Sequence, residues 1–301
     1  MTDKYISIIY NEIFKNISYK QFDIFLCGGA SWRDKRTGKQ HKSKRDEFRN
    51  SLKSSTRDIY NILYPEDLFM ELLNRKEYDL LTMENVLVDN CDLVLIIPES
   101  PGSFAELGAF ANNEKTAQRL LILQQEKYKR QHSFITQGPI SYMSKHYPGS
   151  VVYFNNDLAK TNAHIYNSLY KRFDKLENGS YVPFKDIDQL TGMVYFEILI
   201  LFFYETYDNL ALLKVIKFSY RKCLGNKGKS IDKTYEDVLA RSSVKYLFKN
   251  SWIEKVGSNY RLTKKGLIKA YQILGMLFKS KSYHDIDGLR LRVMHEKLAT
   301  M

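Results

Sequence analysis

Cysteine is scarce in this chain of 301 residues: Cys27, Cys91 and Cys223 lie far apart, with no C-x-x-C pair and no clustered histidines beside them. That usage excludes a disulfide-stapled fold, gives no zinc-site pattern and is the one expected of a protein working in a reducing cytoplasm. Long apolar runs are missing as well. The most hydrophobic stretch, residues 190–204, is interrupted by Glu197 and falls short of the roughly 20 residues a spanning helix needs, so a buried helix is expected there. The first residues, MTDKYISIIYNEIF, carry Asp3, Lys4 and Glu12 and lack the basic-then-apolar layout of a signal peptide. Neither export nor a membrane partner is expected. Hydrophobic residues at 44% and charged residues at 27% match globular averages, which sets aside disordered and collagenous classes.

The net charge is +12, and it is unevenly spread. Residues 1–160 hold 22 Lys+Arg against 20 Asp+Glu, whereas residues 161–301 hold 24 against 14. A near-neutral half is thus joined to a basic half that could meet nucleic acid or another polyanion, the alternative being a solvated basic surface.

From residue 21, short apolar runs alternate with stretches of helical period, the pattern of βαβ units. Candidate strands are residues 22–27 (FDIFLC), 58–64 (DIYNILY), 92–97 (DLVLII), 120–123 (LLIL) and 150–154 (SVVYF). Five such strands fit a doubly wound, Rossmann-type α/β parallel sheet, whose ligand sits beyond the carboxyl ends of the strands at a switch point in strand order. Residues 32–57, dense in Lys and Arg, are expected to be a mobile loop running into a helix near Ser43. The expected organisation is an N-terminal helical segment (1–20), an α/β domain (21–178) and a mainly α domain (185–301). In the last, a helix over 235–251 carries the row Arg241, Lys245, Lys249 at i, i+4, i+8, and the run WIEKVGSNYRLTKKG resembles the wing of a winged-helix domain. That row is the candidate nucleic-acid-binding element, against the reading of a solvated charge stripe.

Three patches are expected to converge at the carboxyl edge of the sheet. Gly28 and Gly29 follow the first strand, where glycines allow a tight turn and close approach to a phosphate or ribose, or merely a turn. Glu66 and Asp67 follow the second, either beside the cleft or with Asp67 capping the next helix. The third patch, PESPGSFAELGAF over residues 98–110, opens a helix. Ser103-x-x-Glu106 reads as a capping box. The competing reading makes Gly102 a place where backbone N–H groups hold a ribose or phosphate oxygen and makes Glu106 a carboxylate aimed at an anomeric carbon.

Residues 92–110, with Asn112, Asn113 and Glu114, resemble the nucleoside deoxyribosyltransferase-like family, whose helix-opening glutamate attacks C1′ of a nucleoside. The runs FLCGG, YPEDLF, LLTMEN, PESPGSFAELGAFANNE and SFITQGPI (133–140) resemble, more closely, the effectors of type II-A retrons. The resemblance is dense over residues 22–140 and looser through a C-terminal winged-helix domain. It implies an anti-phage toxin that cleaves the N-glycosidic bond of NAD to nicotinamide and ADP-ribose. It also implies partners: a reverse transcriptase, its multicopy single-stranded DNA (msDNA), and further copies of the chain in a filament. Carried over by position, Glu106 is the nucleophile, and Gly28, Gly29, Ser100, Gly102 and Ser103 shape the ribose and phosphate pocket, with Glu66 and Glu84 as further substrate-binding candidates. Asp92, at a strand start, is assigned a structural role. NAD enters as substrate, and no metal or cofactor is called for. One departure stands out: the family's cleft aspartate before the glycine is absent, and Glu99 and Ser100 occupy that stretch, so base recognition is expected to differ. Two other readings stay open, a nucleoside or nucleotide N-glycosidase or deoxyribosyltransferase, and a non-catalytic DNA-binding regulator.

Overall fold

The computed structural model describes residues 3–55, 60–64, 88, 90–155, 185–226, 233–277 and 283–299. Among them, residues 20–55, 60–64, 88 and 90–155 form one compact unit, and residues 3–19 with those from 185 onward form another.

Helix α1 (Asp3–Ile8) opens the chain and belongs to the second unit. The α/β unit then runs through β1 (Phe22–Gly28), the two-residue strands β2 (Trp32–Arg33) and β3 (Gln40–His41), α2 (Lys44–Ser55) and β4 (Tyr60–Leu63). It continues through β5 (Leu93–Ile97), α3 (Pro101–Asn112), α4 (Glu114–Ala117), β6 (Leu120–Gln125), α5 (Ser141–His146) and β7 (Val151–Phe154). The five long strands make one parallel sheet in the order β4-β1-β5-β6-β7, with Phe22 opposite Tyr60, Ile24 opposite Leu93, Val94 opposite Leu120 and Ile122 opposite Val151.

Side-chain alternation explains the two layers of helices. Ile24 and Leu26 share a core with Phe48 of α2, while the intervening Phe25 meets Phe110 of α3 with ring centroids 6.4 Å apart. Neighbouring residues of a strand point to opposite faces, so α2 covers one face and α3 the other. Burial on both faces is why β5 reads as an unbroken apolar run, LVLII, every residue of it buried. Asp92 has the structural role assigned to it: its Oδ2 accepts the Asp23 amide at 2.8 Å where β1 and β5 begin.

Residues 32–42 hold a short hairpin where a loop was expected. β2 and β3 pair as an antiparallel hairpin, Trp32 opposite His41 and Arg33 opposite Gln40. The turn is fixed locally, since the Asp34 carboxylate accepts the amides of Arg36 (2.8 Å) and Thr37 (3.3 Å) and Gly38 takes a positive φ of 68°. The helix expected near Ser43 follows directly.

In the second unit the core is α6 (Leu190–Tyr204), all fifteen residues of which are buried. Aromatic side chains of the N-terminal segment pack on it, Phe14 against Phe196 at 5.4 Å and Tyr19 stacked on Tyr195 at 5.3 Å. Then come β8 (Thr206–Asp208), α7 (Asn209–Asn226), α8 (Lys233–Lys249), the hairpin β9 (Ile253–Val256) and β10 (Asn259–Leu262), α9 (Lys264–Leu274) and α10 (Tyr283–Ala299). The expected helix, hairpin, helix order is present, with β8 added to make a three-stranded sheet, β8-β10-β9. Among the described residues, no helix is long and apolar enough to cross a membrane.

Candidate active site

The order β4-β1-β5 reverses direction at β1, so the switch point lies between the ends of β1 and β5, where Gly28 is the register partner of Ile97. Two of the expected patches meet there. A Cβ on residue 28 would stand 3.0 Å from Cβ of Arg45 and 3.2 Å from the Ile97 carbonyl oxygen, so glycine lets α2 start close above the strand end. Gly29 performs the same service for Glu99, whose Cγ lies 3.0 Å from where its Cβ would be.

Glu99 is committed to α2. Its Oε2 accepts the Lys44 amide at 2.8 Å and its Oε1 the Arg45 amide at 3.0 Å, satisfying two of the amides that a helix start leaves unpaired. Ser43 caps the same helix by accepting the Asp46 amide at 3.1 Å, and its own amide is held by Ser31 Oγ at 2.9 Å. Behind this start, the Arg45 and Arg49 guanidinium groups lie 4.6 and 4.8 Å from the Tyr64 ring centroid, at the end of β4. Burial pushes the Tyr64 hydroxyl pKa up, with the Asp46 carboxylate reinforcing the shift. Burial also acts to raise the Asp46 pKa, but hydrogen bonds from Ser31 and Ser43 and the Arg45 charge outweigh it and hold the group below the ordinary carboxylate range.

Helix α3 starts three residues earlier than its expected capping box. Ser100 is the N-cap and Pro101 the first helical residue; Ser100 Oγ accepts the Ser103 amide at 3.2 Å, and Ser103 Oγ accepts the amides of Ser100 (2.9 Å) and Glu99 (3.0 Å). The box is therefore Ser100-x-x-Ser103, and Glu106 has no part in it. The physical reason is Pro101, whose fixed φ and missing N–H suit the first helical position. Ser100 and Ser103 thus serve the helix end itself.

Glu106 lies one turn beyond Gly102, and residues four apart share a helix face. Glu106 and Gly102 therefore lie on one face of α3. Glu106 is half-buried with Oε2 withdrawn from solvent, whereas Gly102 is exposed and an added Cβ there meets nothing within 4 Å. A carboxylate on the same helix face as an open helix start can approach a sugar carbon whose substituents rest on that start.

A separate groove of about 640 Å³ runs between α3 and α5, lined by Phe104, Gly108, Phe134, Tyr142 and His146 among others. At about 100° per residue, Glu106 stands on the other side of α3 from Phe104 and Gly108, so groove and carboxylate are distinct features. Glu66 and Glu84 lie outside the described residues. Arg241, Lys245 and Lys249 all fall on α8, and the Arg241 charge is answered by Asp237, 2.6 Å away, which also binds Lys217 at 2.8 Å. Sequence reasoning missed the clamp by Glu99 and the Arg45-Tyr64-Arg49 stack, both of which join distant stretches of chain.

Fold and site together define a doubly wound α/β protein with its helix-opening carboxylate at the carboxyl edge of the sheet, joined to a helical unit. The particular family follows from comparison with known proteins: residues 41–255 match the family described as STM3845 retron effector protein, and the chain belongs to that family. It is also 30% identical, over 284 residues, to the Escherichia coli retron Ec86 protein provisionally named ribosyltransferase/DNA-binding protein, spanning 90% of this chain and 84% of that one. A second similar protein, the correspondingly named one of E. coli retron Ec73, is 32% identical over 125 residues, 40% of this chain and 38% of that one.

Proposed function

We propose that this retron effector cleaves an N-glycosidic bond, with Glu106 as nucleophile and NAD as substrate. What supports this reading is that Glu106 shares a face of α3 with the exposed Gly102, on a helix whose start is closed by Ser100 and Ser103. The carboxylate attacks C1′ of the nicotinamide riboside, and the breaking C–N bond leaves its electron pair on the ring nitrogen, so nicotinamide departs neutral. Water then attacks the glycosyl ester, the proton passes to solvent, and ADP-ribose and the free carboxylate are released. The ribosyltransferase part of the relatives' names agrees with glycosyl transfer as the reaction class.

The chain acts as a toxin of antiviral defence under the control of a reverse transcriptase and its msDNA, in an assembly that includes further copies of itself. The DNA-binding part of the relatives' names supports the nucleic-acid partner, and the helix, hairpin, helix order of the second unit supports a winged-helix role. Purified protein incubated separately with NAD, deoxynucleosides and nucleotides tests the substrate. Nicotinamide released from NAD alone supports the proposal, while free base from deoxynucleosides alone replaces it with a deoxyribosyltransferase or nucleosidase.

A further inference from the structure

The hairpin β2-β3 carries an arrangement that the chemistry at Glu106 does not use. Trp32 and His41, cross-strand partners, stack with centroids 4.2 Å apart and planes 8° from parallel, and Trp32 remains 57% exposed. Around this pair, Lys35, Arg36, Lys39 and Lys42 are exposed, and their side chains have no hydrogen bond or ion pair among the described residues. Asp34 is the one acid of residues 31–44, and the Arg36 and Thr37 amides hold its carboxylate, lowering its pKa by those hydrogen bonds. Arg33, also exposed, donates from Nε to the Gly38 carbonyl at 2.9 Å. The result is a hairpin tip with a flat aromatic face and four cations that have no acidic partner among the described residues.

We propose that this hairpin is a binding surface for single-stranded nucleic acid, with an unpaired base stacked on Trp32 and phosphates along Lys35, Arg36, Lys39 and Lys42. An unpaired base offers the π-face that a duplex keeps buried in its stack, and aromatic platforms bordered by cations are what sequence-tolerant single-strand binding requires. The four cations on this tip contrast with α8, where Asp237 answers Arg241. The hairpin is inserted between Gly29 and Ser43, so a strand held on it lies at the carboxyl edge of the sheet. This inference rests on the nucleic-acid part of the proposed function and is independent of Glu106.

The test is fluorescence anisotropy of the full chain with a labelled oligothymidylate and with a mixed-sequence duplex, over a range of salt concentrations. The single strand is expected to bind more tightly, Trp32→Ala to weaken it about ten-fold or more, and Trp32→Phe to restore most of the loss. Replacing Lys35, Arg36, Lys39 and Lys42 together by Ala is expected to flatten the log–log salt slope by about 3. Single-strand binding unchanged in both hairpin variants but lost on replacing Arg241, Lys245 and Lys249 overturns the inference and leaves the nucleic-acid partner standing. No binding of either probe overturns both. Equal affinity for duplex and single strand, with no effect of Trp32→Ala, overturns the stacking role.

Discussion

Gly29 leaves the space that Glu99 fills: a Cβ on residue 29 would come within 3.0 Å of Glu99 Cγ and 3.4 Å of its Oε1. Through that space Glu99 reaches the Lys44 and Arg45 amides. Gly29→Ala is therefore expected to displace Glu99 and destabilise the chain by about 1–3 kcal/mol, as overpacking does. Glu99→Ala is expected to cost about 2–4 kcal/mol, because it strands two amides that now bond a charged group. Urea midpoints of both variants check this, and unchanged midpoints would remove the clamp from the account.

The observed capping box separates two serines from the glutamate. Ser103→Ala is expected to cost about 1–3 kcal/mol, since it removes the acceptor of the Glu99 and Ser100 amides. Glu106→Gln, which keeps the shape of the side chain, should cost clearly less than Ser103→Ala. Thermal melting of the pair checks the assignment; a Glu106→Gln loss matching that of Ser103→Ala would return Glu106 to a capping role.

Gly102→Ala isolates the ligand from the fold. Nothing lies within 4 Å of the added methyl group, so the variant is expected to be as stable as the parent or up to about 1 kcal/mol more stable. With substrate resting on that helix start, its KM should rise several-fold while melting does not fall. A variant with unchanged KM would place the substrate elsewhere.

Glu197 governs a pH dependence in the second unit. Burial pushes its carboxyl pKa well above the ordinary value, the Ser243 hydrogen bond opposing in part. A carboxyl with a raised folded-state pKa gives full stability below its unfolded pKa of about 4.3 and loses it as pH rises toward the folded value, by about 1.4 kcal/mol per pH unit. Glu197→Gln should flatten this decline and gain stability relative to the parent as pH rises through that window. Urea midpoints from pH 4 to 8 test it, and a parallel decline in both proteins would contradict it.

The sheet was legible because parallel strands buried on both faces leave continuous apolar runs, as in residues 93–97. The helix opening at Pro101 was also visible, but its cap was read one turn late because a Ser-x-x-Glu pattern outweighed the proline at the first helical position. The hairpin at residues 32–41 had a local signal in Asp34 and Gly38, hidden by the density of charge. Glu99 could not be placed from sequence, since the amides it binds lie 55 and 54 residues away and only folding joins them. β8, three residues long, forms by pairing with β10 from a distant part of the chain.

The central claim is that Glu106 breaks the glycosidic bond of NAD. It is tested most directly by measuring NAD and nicotinamide over time in cells that express the effector with the proposed partners, a retron reverse transcriptase and msDNA, under phage challenge, beside the same cells carrying Glu106→Gln at equal protein level. The account predicts that NAD falls and nicotinamide rises in the first and that neither changes in the second. Equal NAD loss in both would remove Glu106 from the chemistry, and stable NAD in both would remove NAD as the substrate.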